Sequence, residues 1–326
     1  MRNRPLYAVG LLATTLLAGC GTGAPSSDTT TAASSGYPVT VTSCGVTSTI
    51  TAKPEHAVTL NQGATEVALA LGVQDQLAGT AYLDDAVPQK WKAAYDSVKV
   101  LAQEYPSHEA LLATQPDFVY ASYASAFNAK VAGTQAELAS QKIGSYLSPF
   151  GCENKAERPA TTFDAVWDEI DAVATAFGVP QRGQELRTEQ QTELDTISAA
   201  AAGKGLSVLW YDSGTKTPFV GGNAGGPQLI LNAVGATNVF ADLDGAWGDG
   251  TWEKVIAADP DVIVLADASW DSAADKIAYL EKDPALKKLT AVKERKFVTL
   301  PFSESTAGVR LVDGASSVAE QIAKLR

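Results

Sequence analysis

Residues 109–120 read EALLATQPDFVY, and residues 253–264 read EKVIAADPDVIV. Each stretch begins with Glu, continues through an apolar helical turn, and reaches Pro-Asp before a run of β-branched or aromatic residues. The spacing repeats as well, with Glu109 standing seven residues before Pro116 and Glu253 seven before Pro260. Each copy therefore reads as helix, turn, strand. That unit is common in α/β proteins, so a single recurrence is weak evidence. Its placement at matching depth in two halves of the chain favours two pseudo-symmetric lobes.

Outward from the two copies, strand and helix patterns alternate. His56–Leu60 reads as a strand, Asn61-Gln62-Gly63 as a turn, and the segment from Ala64 as a helix stopped by Gly72. Further strands are predicted at 76–80, 117–121, 207–211, 261–265 and 296–300, and a helix from Pro227 to Val234. Residues 164–201 read as one long helical stretch with a break near Gly178-Val179-Pro180. This order predicts an α/β fold with largely parallel sheets. The expected divisions are an N-terminal lobe at 37–163, an inter-lobe helix at 164–202 and a C-terminal lobe at 203–326.

Composition narrows the function classes. From Tyr37 onward roughly 290 residues remain, enough for two separate cores. The formal net charge is −12, which excludes nucleic acid as an expected partner because phosphate binding needs a basic face. The two histidines, His56 and His108, lie far apart, which argues against a zinc or manganese site and against His-dependent catalysis. No G-x-S-x-G, H-E-x-x-H or P-loop signature occurs. Neither catalysis nor a cofactor or resident metal is expected.

The N-terminus is a targeting segment. Arg2 and Arg4 precede an apolar run from Leu6 to Leu17, too short to span a bilayer, so residues 1–19 read as a signal peptide. Leu17-Ala18-Gly19-Cys20 resembles the bacterial lipobox, whose cysteine is lipidated and becomes the first residue of the mature chain. Cys20 is thus the expected lipid attachment, an ordinary signal with a chance cysteine being the plainer alternative. Residues 20–36 are nearly all Gly, Ala, Ser, Thr and Pro and read as a flexible tether. Loss of residues 1–19 removes two arginines and takes the charge to −14. Two cysteines then remain, Cys44 and Cys152. In an oxidising compartment an even pair suggests one disulfide within the first lobe, two buried free thiols being the alternative.

Several of these pieces together resemble a known family. They are KPEHAVTL (53–60) followed by ATEVALALG (64–72), the two E-x6-P-D units, and the C-terminal strand and helix at 296–324. In order and spacing they resemble class III solute-binding lipoproteins, which serve ABC importers of iron–siderophore, haem and cobalamin compounds. The resemblance covers nearly the whole body. It implies two Rossmann-like lobes joined by one long backbone helix, with the ligand cleft between them and small opening motions. It further implies an extracytoplasmic monomer, held at the membrane by its lipid alone, that captures a siderophore, haem, corrinoid or similar molecule. The ligand would pass to a permease dimer and its ATPase. In that family an acidic residue on each lobe docks on permease arginines, and the matching positions are Glu109 and Glu253. Both also suit helix N-termini, where the helix dipole favours carboxylates. Residues 105–127 and 217–239 look like an actinobacterial subgroup thought to import a deazaflavin coenzyme precursor, which supplies an alternative ligand. A cell-surface enzyme or sensory domain is the alternative of another class.

Ligands of open α/β folds bind beyond the carboxyl ends of strands. The residues at the expected strand exits are Gln62, Tyr82, Tyr123, Trp210, Tyr211, Trp247, Trp270 and Arg310, with Phe127 and Phe302 nearby. So many aromatic groups suit a flat or macrocyclic ligand, although any one of them also suits an inter-lobe core. Arg310 either pairs with an anionic ligand group or forms an ordinary ion pair. The loop Gly221–Gly226 precedes a helix and could offer N–H groups to an anion. It lacks the dinucleotide-binding spacing and reads rather as a flexible inter-lobe loop.

Overall fold

Short runs buried at every position, such as β3 (Ala57–Leu60) and β6 (Phe118–Ala121), mark strands covered on both faces. A computed structural model describes residues 36–326 and places these two strands side by side, in parallel, at the heart of the first of two large sheets. The signal peptide (1–19), Cys20 and the tether up to residue 35 lie outside the described residues.

The N-terminal lobe opens with an antiparallel hairpin, β1 (Val39–Ser43) and β2 (Val46–Ile50). After β3 come α1 (Gln62–Ala70), β4 (Leu77–Ala81), α2 (Gln89–Ser97), β5 (Val100–Ala102), α3 (His108–Leu112), β6, α4 (Gln135–Ser140) and β7 (Gly144–Leu147). The sheet order is β5-β4-β3-β6-β7, and every pair is parallel. Cys44, in the β1–β2 turn, is bonded to Cys152, just past β7. The bridge ties the hairpin to the loop that leaves the sheet.

The C-terminal lobe holds β8 (Ser207–Ser213), β9 (Phe219–Gly221), α7 (Gly225–Val234), β10 (Thr237–Asn238) and β11 (Trp247–Asp249). It continues through α8 (Trp252–Ala258), β12 (Val262–Asp267), α9 (Ala273–Lys282), α10 (Thr290–Lys293), β13 (Phe297–Pro301) and α11 (Leu311–Lys324). The order is β11-β9-β8-β12-β13, with β10 also paired to β8. β10, β12 and β13 run parallel to the sheet direction, while β8–β9 and β9–β11 are antiparallel.

The sequence repeat occupies equivalent places in the two sheets. α3 leads into β6, which pairs with the first sheet strand of its lobe, β3. α8 leads into β12, which pairs with the first strand of the other lobe, β8. Each helix is opened by a hydroxyl cap: Ser107 accepts from the Ala110 N–H, and Thr251 from the Lys254 N–H.

The single inter-lobe helix expected at 164–202 is in fact a pair, α5 (Phe163–Ala176) and α6 (Pro180–Ala200). Gly178 adopts a left-handed φ of 72°, which ends α5, and Pro180 opens α6 at a position where its missing N–H costs nothing. The two helices pack on each other. α5 lies against β1 and α1 of the first lobe, and α6 against α7 and α11 of the second. Thus one helix serves each lobe, and their mutual interface carries the join. At its centre the buried Trp167 indole donates to Gln190 Oε1 at 2.8 Å, and Gln190 Nε2 donates to the Val309 carbonyl at 2.7 Å. Among the described residues no helix is long and apolar enough to cross a membrane.

Trp167 is 2% exposed and packs in the core shared by the two lobes. Trp167→Ala is expected to lower unfolding free energy by about 3–5 kcal/mol, read as an earlier urea midpoint. A loss below about 1 kcal/mol would show that the helix pair does not hold the join.

Candidate functional site

Between the two sheets lies a cavity of about 530 Å³. Most of its aromatic wall comes from three segments of the C-terminal lobe, and Tyr123 and Phe150 of the N-terminal lobe add to it. Trp247 stands on β11, Trp270 on the loop after β12, and Phe302 just after β13. Phe302 joins them: its ring lies 5.1 Å from Trp270, edge to face, and 6.4 Å from Trp247. Trp270 remains 56% exposed, although it is large and apolar, so its outer face is available to a ligand. The loop beneath it is held by the buried Lys276, which donates to the carbonyls of Ala266 and Asp271. Trp247 Nε1 is buried and, among the described residues, makes no hydrogen bond.

The N-terminal lobe contributes Gln62 at the start of α1, Asp84 and Asp85 after β4, Tyr123 after β6, and Lys155 and Arg158 after β7. Burial, and then the charge of Asp85, push the Asp84 carboxyl above the usual range. Arg158 is held by donation from its Nε to the Cys152 carbonyl at 2.7 Å, so the disulfide loop sets its place. The floor of the cavity is therefore acidic and one rim basic. Close backbone approaches seal its base. A Cβ on Gly226 would fall 1.8 Å from the Ser305 carbonyl oxygen, and one on Gly151 equally near that of Ser122.

Of the residues expected at strand exits, Gln62, Tyr123, Trp247 and Trp270 line this cavity. Trp210 and Tyr211 do not. Both are buried within β8, which runs on to Ser213, so they are interior residues rather than exit residues. Trp210 packs in the inter-lobe core. Tyr211 packs in the core of the second lobe, bonded to the Gly214 carbonyl at 3.0 Å and set against Trp252. Tyr82 turns aside at a φ of 62°, packs edge to face on Tyr105, and lines a smaller neighbouring recess. Phe127 packs in the core of the first lobe.

Arg310 is not at the cavity surface either. It is 4% exposed and takes the ion-pair role: Nη2 contacts Glu304 at 2.6 Å and Nη1 contacts Glu66 at 3.3 Å, with Asp85 at 3.8 Å. The glycine loop meets the cavity at Ala224, Gly225 and Gly226. The amides of Gly222, Asn223 and Ala224 donate to the carbonyls of Ala246, Leu243 and Gly245. Those bonds fix the loop against the segment that carries Trp247. Glu109 and Glu253 are both exposed and both stand second in their helices, after the caps Ser107 and Thr251.

The strand-exit rule missed Asp84 and Asp85 because they stand two and three residues past Tyr82, on the irregular loop beyond the end of β4. It missed Lys155 and Arg158 because β7 was not foreseen. Among the described residues no group of three or more His, Cys, Asp or Glu side chains could hold a metal ion.

Known proteins share this architecture. The family model described as "Periplasmic binding protein" matches residues 58–304. The chain is 26% identical over 324 residues to YvrC of Bacillus subtilis (strain 168), described as an uncharacterized ABC transporter substrate-binding lipoprotein. That match covers 97% of this chain and 96% of YvrC. A vitamin B12-binding protein of Pectobacterium atrosepticum is 24% identical over 278 residues, covering 84% of this chain and 90% of the relative. A solved structure titled as an ABC-type Fe3+-hydroxamate transport system, from Saccharomonospora viridis, superposes with a TM-score of 0.69 at 26% identity. It covers 87% of this chain and 99% of the other. With two α/β lobes, a cleft between them and a family match across most of its length, the chain belongs to the periplasmic binding protein family.

Proposed function

We propose that this chain is the extracytoplasmic substrate-binding component of an ABC importer. It captures an iron–siderophore or a related chelate or macrocycle and delivers it to the permease. One observation carries the reading: an aromatic cavity between two lobes, walled by Trp247, Trp270 and Phe302, and open enough to leave Trp270 half exposed. Rings of this kind bind flat or bulky apolar ligand surfaces, while Lys155 and Arg158 suit peripheral acceptor groups. The hydroxamate-transport neighbour supports a ferric chelate. The vitamin B12-binding relative favours a second reading, a corrinoid.

In this reading Cys20 carries the lipid that keeps the body at the membrane. Glu109 and Glu253 meet the permease, one from each lobe. Their support is positional equivalence. Two exposed carboxylates on repeated units can engage a two-fold partner in the same way twice.

Titration with ferrioxamine B, haemin and cyanocobalamin, followed by tryptophan fluorescence, tests the ligand class. Saturable quenching is expected with one of the three, and Trp270→Ala is expected to weaken that binding about tenfold, or about 1.4 kcal/mol. No saturable response with any of them would overturn the reading.

Joint replacement Glu109→Ala and Glu253→Ala is expected to leave ligand affinity unchanged while uptake by cells carrying the importer falls. A loss of affinity in that double variant would remove the docking role.

A further inference from the structure

The cavity floor holds a chain of polar contacts that crosses from one lobe to the other. Gln62 Nε2 donates to Glu66 Oε1 at 2.6 Å, and Gln62 Oε1 accepts from the Asp85 amide at 3.2 Å. Asp85 Oδ2 accepts from Ser303 Oγ at 2.6 Å. Arg310 Nη1 then donates to both Ser303 Oγ and Glu66 Oε1, and Nη2 to Glu304. Gln62, Glu66 and Asp85 belong to the first lobe, and Ser303, Glu304 and Arg310 to the second. Gln62, Asp85 and Ser303 also line the cavity, whereas Glu66 and Arg310 are buried behind it.

We propose that Arg310 and Glu66 form the positioning pair of the cleft: they do not touch the ligand, but fix the two lobes against each other and set Gln62, Asp85 and Ser303 in register for it. The ligand contact made by those three groups rests on the binding-protein reading above, whereas the lobe contact does not. A planar guanidinium suits this role because its two arms reach Ser303, Glu66 and Glu304 together, which a single ammonium cannot do with the same geometry.

The pair also makes closure depend on protons. Three carboxylates, Glu66, Asp85 and Glu304, surround one guanidinium. Burial pushes the Glu66 carboxyl up to about 7, against the opposing pull of Arg310 and the Gln62 amide. Burial likewise raises Glu304, against the pull of Arg310. Two other charged groups near the seam, Lys90 and Glu169, have their own partners, and burial raises Glu169 to about 7 as well. Lys90 of α2 is paired with Asp313 across the lobes at 2.7 Å, and Glu169 of α5 accepts from the Tyr120 hydroxyl at 2.7 Å. Asp84 stands beside Asp85. When the lobes part, Glu66 meets water and returns toward its ordinary value of 4.5. The closed form therefore binds a proton that the open form releases. Closure is fully favoured below the ordinary value and loses that advantage as pH rises through about 7.

Hydrogen–deuterium exchange on the full-length chain, without ligand, reads this directly. Protection of the segments 82–90 and 300–311, corrected for intrinsic exchange, is expected to fall by up to tenfold per pH unit between pH 5 and 7. Glu66→Gln is expected to fold normally and to lose most of that slope. Arg310→Lys is expected to lower protection at least tenfold at every pH. A flat wild-type profile, a Glu66→Gln profile with the full slope, or an Arg310→Lys variant as protected as wild type would each overturn the proposal. Ferrioxamine B and cyanocobalamin titrated at pH 5.5 and 8 separate the two questions. If neither binds, the ligand reading fails while the exchange profiles still decide the role of Arg310.

Discussion

The indole of Trp167 donates to Gln190, and Gln190 donates onward to the backbone carbonyl of Val309. Those two hydrogen bonds join α5 of the first lobe, α6 of the second, and the residue that immediately precedes Arg310. Both are buried, and in a buried setting an unpaired indole or amide carries a desolvation cost that makes the arrangement hard to slip. The lobes are thus fixed at the back by the helix pair and at the cavity floor by Arg310. The cleft lies in front of both. Its width follows from these fixed points rather than from the sheets, which make no contact with each other through their strand ladders.

Much of the fold was legible in the sequence because it rests on local chemistry. Strands β3, β6, β8 and β12 are short, mostly apolar runs buried at nearly every position, as burial on both faces requires, while β13 (FVTLP) alternates buried and half-buried residues. The repeat marked β6 and β12 because a helix N-terminal Glu and a Pro-Asp turn recur at one spacing. What stayed hidden depends on partners far away in the chain. β7 (GSYL) is too short and too mixed to declare itself, and it is a strand because β6 lies beside it. β9 and β11 are three residues each, and their antiparallel pairing is decided by the glycine loop folding back on the 243–246 segment. The inter-lobe helix is the instructive case. Gly178-Val179-Pro180 announced a break, but residues 164–201 still read as one helical stretch. Only the packing of α5 and α6 on different lobes shows that the break is a reversal.

The site was legible to a smaller degree. Reading strand exits found Gln62, Tyr123, Trp247 and Trp270, because topology alone puts exits at the cleft. The same rule placed Trp210 and Tyr211 there by ending β8 two residues early. At a strand end an error of that size turns an interior side chain into a surface one. Arg310 illustrates a different limit. A sequence shows that an arginine follows a strand, but not that Glu66, 244 residues earlier, will stand opposite it.

Glu109 and Glu253 differ in kind from the carboxylates of the cleft. Glu66 is buried and Asp84 half-buried, and the fold disfavours the ionised form of both, so their presence weighs on stability. Glu109 and Glu253 occupy the second position of capped helices, where a negative charge strengthens the free protein whether or not anything binds it. In the docking role proposed for them, these outward-facing charges would be exempt from the usual tension between activity and robustness. Changes that strengthen the body need not erode its outer face, whereas changes in the cleft trade one against the other.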